Sequence, residues 1–345
     1  MKLESTVQDT VLQESAQNNA QSDTPGDLEP IRIFIGSSIR NVIEQKVYCY
    51  TLKKYAKRPL DFNIIDGLNG TVTNLTTGKV KQLPADITQH IPGTTAFTLA
   101  RWAIPEWCDY KGKAIYCDSD QLALADISEL WDLDLEDSFC AAVPVKQAKC
   151  YPHYVRLFLR NYLQSEDDYY LASVMLIDCE KASVWSLESL VKLIQSGAFT
   201  LEQMMYLSEP FRDYFGITVK ALSDEWNHLD VVYPESKIVH FTDMSTQPWR
   251  FHHNSISGLW DNIFLEAVDR HELERSEIVR ANQLGYLTQR HKVISALGSP
   301  MRSVVNWLWR TPVGAIVLFF RFFSELFEDV YLGTRSRVRR LVKGY

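Results

Sequence analysis

An apolar run, Ala114-Ile-Tyr-Cys117, stops at two carboxylates, Asp118 and Asp120, separated by one serine. The run reads as a buried strand. In an α/β sheet, ligands collect beyond the carboxyl ends of the strands. An Asp-x-Asp placed there offers four hard oxygens, the donors that Mg²⁺ and Mn²⁺ prefer. Carboxylates so close repel each other and need a cation or a shared proton between them. The same pair also reads as a turn capping the next helix, because Asp is a common turn and N-cap residue.

The flanking pattern places that strand in an alternating chain. Ile31-Arg-Ile-Phe-Ile35 reads as a first strand running into Gly36-Ser37-Ser38, where a small residue lets a nucleotide approach the backbone. Helical spacing follows over Val42 to Ala56, ended by Arg58-Pro59, and Phe62 to Ile65 reads as the second strand. Residues 66–92 are turn-rich and read as one long loop. A helix over Thr94 to Ala103 sets Arg101 near the sheet edge, and a short helix covers Ile127 to Trp131. Further strands are expected at Phe139 to Val143, Ser173 to Ile177 and Lys237 to Phe241. Further helices are expected at Val155 to Leu163, Leu187 to Ile194, Leu201 to Leu207 and Gly258 to Leu273. Strands alternating with helices predict an α/β fold with a largely parallel sheet.

A second candidate site is His240-Phe-Thr-Asp243, followed by Gln247-Pro248-Trp249. A histidine at a strand's C-terminal end can complete a cation site, although a lone histidine also serves structurally. Trp249 either walls the pocket or belongs to the core. In His252-His253 the adjacent side chains point apart, which favours a surface or packing role over metal binding.

In order along the chain, these blocks resemble family 8 glycosyltransferases of the GT-A fold, from about Ile31 to Leu273. The residues that carry the resemblance are Ile31-Arg-Ile-Phe-Ile-Gly-Ser-Ser38; Arg101-Trp through Asp118-Ser-Asp120 to Asp126-Ile-Ser-Glu-Leu-Trp131; Ala172-Ser-Val-Met-Leu-Ile-Asp178; and Trp226-Asn227 leading to His240 and Pro248-Trp249. The resemblance implies a Rossmann-like, mostly parallel mixed sheet flanked by helices, with C-terminal amphipathic helices appended. It implies that Asp118, Asp120 and His240 bind Mn²⁺ or Mg²⁺ on the diphosphate of a UDP-sugar. Ile35, Gly36, Ser37, Ser119 and Trp249 would line the donor site. Arg101 would lie near the donor sugar or phosphates and Gln203 at the sugar's reacting face. The implied activity is metal-dependent, retaining hexose transfer to a lipid-linked or cell-envelope glycan.

Four positions depart from that family's usual residues. Ser37-Ser38 stands where an acid is common, Leu171-Ala-Ser173 for Asn-Ala-Gly, Asp243 for glycine, and Gln247 for lysine. They leave the metal ligands intact and bear on sugar choice and phosphate contacts. Two alternatives therefore stay open: a module that binds nucleotide-sugar without turnover, and a phosphohydrolase with Asp118 as nucleophile and Asp120 as acid/base.

The formal net charge of −7 argues against nucleic acid as the main partner. Six scattered cysteines without a CxxC pair fit a reduced, cytoplasmic compartment. Three segments are expected: a disordered tail over residues 1–28, a GT-A domain over 29–275, and a helical, basic amphipathic segment over 276–345. In the last, apolar residues recur at helical spacing before Arg335, Arg337, Arg339, Arg340 and Lys343. Such a segment suits the surface of an anionic membrane, or packs on the domain or a second subunit. In liposome flotation with anionic lipid, the full chain should float and a chain truncated before residue 300 should not. Equal partitioning would exclude the tail as an anchor.

Overall fold

Strand β5 (Lys113–Asp118) lies inside an eight-stranded sheet, buried on both faces, because its side chains alternate between two apolar clusters. The computed structural model describes residues 28–83, 99–151, 159–251, 254–298 and 301–302. The expected N-terminal tail, His252-His253, residues 303–345 and the first halves of the helices expected at Thr94 and Val155 lie outside the described residues.

The other strands of the main sheet are β1 (Ile31–Ser37), β2 (Leu60–Asp66), β3 (Thr71–Asn74), β4 (Val80–Gln82), β7 (Cys140–Pro144), β8 (Tyr170–Asp178) and β9 (Val219–Ala221). Their order is β4-β3-β2-β1-β5-β8-β7-β9. Parallel pairing joins β2, β1 and β5 at the centre, and β7 to β9; β3, β4 and β8 run antiparallel to their neighbours. A smaller sheet holds β10 (His228–Leu229), β11 (Ile238–His240) and β6 (Gln121–Ala123) in that order.

Helix α1 (Val42–Tyr55) lays Tyr48, Cys49 and Leu52, one helical stripe, over Ile31, Ile33 and Ile35 of β1. The opposite face carries Phe34 and Tyr116 against Trp102, Trp185 and Phe211. Trp102 and Phe211 meet edge to face at 5.4 Å.

One difference from the sequence expectation is physical. In the described part of the expected loop, residues 66–83, β3 and β4 form a meander on β2, turned at Gly78 with φ +66°. Their three or four residues hold a strand only through ladder bonds, so local pattern did not reveal them. Helix Arg275–Gln283 lies in the first of two compact units, Met1–Tyr286 and Leu287–Tyr345. Lys46 of α1 pairs with its Glu277 at 2.5 Å. In the second unit, helix Gln289–Ser295 starts at Thr288, whose hydroxyl accepts from the His291 N–H at 3.4 Å. Among the described residues no helix is long and apolar enough to cross a membrane.

The start of α1 stores an ionisable group. Ser38 donates to Asn41 Oδ1 at 2.6 Å, and Asn41 Nδ2 donates to Glu44 Oε1 at 2.8 Å. Glu44 is buried, and its Oε2 has no hydrogen-bond partner among the described residues. Burial raises its pKa from the ordinary 4.5 to about 8, with Asp120 adding to the shift. Between those values the unfolded chain releases a proton that the folded chain keeps, so stability falls as pH rises from about 4.5 to about 8. Glu44→Gln should therefore have a higher Tm than the wild type at pH 8, with the gap closing at pH 5. A pH-independent difference in Tm would contradict a neutral Glu44.

Candidate active site

Three donors converge at the carboxyl ends of β5 and β11. One carboxylate oxygen each from Asp118 and Asp120 and one ring nitrogen of His240 lie within 4.8 Å of one another. Asp118 closes β5 and Asp120 follows across a single serine. His240 arrives through the small sheet: β6 pairs antiparallel with β11, setting Gln121 opposite His240, and the Phe241 N–H donates to the Asp120 carbonyl at 2.9 Å. Two-residue alternation along β5 places Asp118 and Tyr116 on one sheet face, the face that carries Arg101.

Each aspartate has its own counter-charge. Arg101, 5 % exposed, donates to Asp118 Oδ1 at 3.3 Å and to the Ala172 carbonyl at 2.7 Å. Its guanidinium lies 4.6 Å from the centroid of the Tyr116 ring. The Tyr116 hydroxyl donates to the same Asp118 oxygen. Burial, reinforced by the Asp118 charge, keeps that phenol protonated and so a donor. Asp120 faces His240 Nε2 at 3.0 Å and accepts from Gln247 Nε2 at 3.2 Å.

The imidazole is oriented from behind. Asn227, fully buried, puts Oδ1 3.1 Å from His240 Nδ1, while its Nδ2 donates to Ser173 Oγ at 2.8 Å. With Asn227 Oδ1 on that side, the tautomer that satisfies the contact carries its proton on His240 Nδ1 and turns Nε2 to the acids. Burial alone would lower the His240 pKa, but Asp120 and Asp118 outweigh it and hold it above the ordinary 6.5. Two carboxylates plus an imidazole whose outer nitrogen is already anchored form a donor set that suits Mn²⁺ or Mg²⁺.

Register explains the glycine at position 36. Gly36 lies opposite Asp118 on the parallel neighbour β1. A Cβ there would stand 2.5 Å from the Tyr116 hydroxyl oxygen, the group that holds Asp118. Only glycine leaves that hydroxyl in place.

The remaining expected residues each have their own surroundings. Ile35 is fully buried in the core beneath α1. Ser37 lines a cavity of about 790 Å³ between α1 and the β2–β3 strands, with Ser38, Gln45, Lys46, Asp66 and Asn69. Ser119 is buried between the two aspartates. Trp249, 1 % exposed, packs 5.7 Å from Phe241 and 5.3 Å from Trp260. Gln203 closes a capping box: its Oε1 accepts from the Thr200 N–H at 2.7 Å, and its own N–H donates back to Thr200 at 3.1 Å.

Residue patterns alone did not mark Asn227, Ser173 or Gln247 as parts of this centre. Two of these three are positions where the chain departs from the family pattern, and that departure was the available signal.

Against known proteins, the family model for glycosyl transferase family 8 matches residues 37–253, more than half of the 345 residues. The chain belongs to glycosyl transferase family 8. Two solved structures of the galactosyltransferase LgtC share the fold of this family 8 protein. One, in complex with donor and acceptor sugar analogues, has a TM-score of 0.51 and 14% identity, covering 70% of this chain and 100% of that one. The other, an active-site mutant, has a TM-score of 0.50 and 16% identity, covering 70% and 96%. These likenesses establish GT-A architecture. Protein CDI of Arabidopsis thaliana is 30% identical over 122 residues, which is 35% of this chain and 42% of that protein. GT-A glycosyltransferases commonly use a divalent metal, and the Asp118–Asp120–His240 group is where this family 8 chain could hold one.

The site predicts a proton count. A cation on His240 Nε2 must displace the proton that Asp120 and Asp118 favour there. Mn²⁺ binding should therefore release protons near neutral pH and weaken as pH falls through the raised imidazole pKa. Calorimetry in buffers of different ionisation enthalpy measures that release. A buffer-independent heat and a flat affinity from pH 8 to pH 5.5 would remove His240 from the ligand set.

Proposed function

We propose that this chain transfers a hexose from a UDP-sugar to a glycan or lipid-linked acceptor, with retention of anomeric configuration and dependence on Mn²⁺ or Mg²⁺. The observation that carries the proposal is the convergence of Asp118, Asp120 and His240 at the carboxyl ends of two strands in a family 8 domain. When bound there, the divalent cation would supply positive charge to the diphosphate as the sugar leaves. Arg101 holds Asp118 in place and brings a second, fixed positive charge to the same end of the sheet. Tyr116 donates to the Asp118 oxygen that Arg101 also bonds, and Gln247 to the Asp120 oxygen that His240 leaves open, so both acids are preorganised and need not reorient during reaction. Family resemblance alone supports Gln203 at the sugar's reacting face and the donor roles of Ile35, Gly36, Ser37, Ser119 and Trp249. Retention by front-face attack of the acceptor also rests on the family. The sequence of residues 303–345 supports a membrane-surface location for the acceptor.

A binding module without turnover is the second reading. It draws on the neutral Gln247 at a position where the family commonly has lysine. One assay separates the two. With Mn²⁺ and a panel of UDP-sugars the protein should release UDP, and EDTA should stop it. Asp120→Ala should lower the rate by roughly 100-fold or more, the scale for removing preorganised charge stabilisation, with an unchanged Tm. UDP release that persists in EDTA would end the metal-dependent reading, and donor binding without release would favour the module.

A further inference from the structure

We infer that Asp230 is a positioning residue that pins the segment after His240 so that Gln247 stays on Asp120, an inference that rests on the metal-dependent reading above. Asp230 follows β10, is 5 % exposed, and has a left-handed backbone (φ +55°), a conformation costly for a non-glycine residue and kept where the surroundings enforce it. Its carboxylate is enclosed by donors from both ends of one loop. Oδ2 accepts from the Thr242 N–H at 3.1 Å, the Thr242 hydroxyl at 2.7 Å and the Asp243 N–H at 3.1 Å. Oδ1 accepts from Asn254 Nδ2 at 3.2 Å. Its own N–H donates to the His240 carbonyl at 2.8 Å.

The bracket thus ties residues 242–243 and 254 to the strand beside His240. Within it lies Gln247, whose Nε2 donates to both the Phe241 carbonyl at 3.1 Å and Asp120 Oδ2 at 3.2 Å. Trp249, two residues on, is sealed against Phe241 and Trp260. Four donors on one buried carboxylate are far more than a surface turn requires. Asn at this position keeps the volume but replaces one acceptor with a donor. That donor must then face either the N–H groups of 242–243 or the amide of Asn254, so one arm of the bracket opens.

The test uses the full chain and two readouts. In metal-free protein, trypsin should cut after the exposed Arg250 several-fold faster in Asp230→Asn than in the wild type, followed by mass spectrometry of that fragment. By calorimetry, Mn²⁺ should bind about 10- to 100-fold more weakly to Asp230→Asn, the scale for losing a partner that orients a ligand, at a Tm within a few degrees of wild type. Gln247→Ala should also weaken Mn²⁺ binding, and the double variant should lose no more than the worse single variant. Unchanged cleavage and affinity in Asp230→Asn would overturn the inference, as would losses that simply add. Should Asp230→Asn fail to fold, Thr242→Val removes one donor only. It should shift both readouts in the same direction by a smaller factor, and no shift would again overturn the inference. A wild type that binds no Mn²⁺ would retire the metal reading itself, and the Arg250 cleavage rate would then decide whether Asp230 braces the loop.

Discussion

Two negative charges held within 4.8 Å of each other are the constraint around which the carboxyl end of this sheet is built. At an effective dielectric near 20, that repulsion is on the order of 3 kcal/mol, enough to distort a turn that nothing opposes. The fold opposes it from two sides. Arg101 reaches Asp118 from the segment before β5, and His240 reaches Asp120 from a strand of the second sheet. His240 Nε2 also lies 4.0 Å from Asp118 Oδ2, so the imidazole serves both acids while Arg101 bonds Asp118, and each acid keeps an oxygen oriented by a neutral donor, Tyr116 or Gln247. A divalent cation bound here would meet acids already fixed in direction and would compete with the proton that Asp120 and Asp118 favour on His240.

The supporting groups give a physical sense to the places where this chain leaves the family pattern. Ser173 stands where a glycine is usual, and its hydroxyl accepts from Asn227, which in turn sets the imidazole. Gln247 replaces a lysine, and its amide holds Asp120. A lysine there would add a point charge, whereas the amide adds direction without charge. Gly36 has a steric reason of its own, because a Cβ there would stand 2.5 Å from the Tyr116 hydroxyl.

Much of the fold was legible in the chain. The runs that became β1, β5 and β8 are mostly apolar, with Arg32 and Ser173 the polar interruptions, because strands buried on both faces need no regular polar alternation. Helix α1 was legible by its stripe and by Arg58-Pro59 after it. The strands β6, β9 and β10 were not, being two or three residues long. At that length ladder pairing, not propensity, makes a strand. Asn227 and Asp230 were hidden for a related reason: a buried amide or carboxylate in sequence looks like any turn residue until its partners are known.

The sequence by itself determined the kind of chemistry: an apolar strand ending in Asp-x-Asp, a histidine ending another, and the ordered blocks that mark family 8. Those signals are local, carried by side-chain alternation and residue type over a few positions. Only the tertiary structure decided that His240 sits on Asp120, 120 residues earlier in the chain. The register of β6 against β11 makes that contact. A slip of one residue in that ladder would turn His240 to the other face of its sheet, and no local pattern in either strand encodes the register of the other.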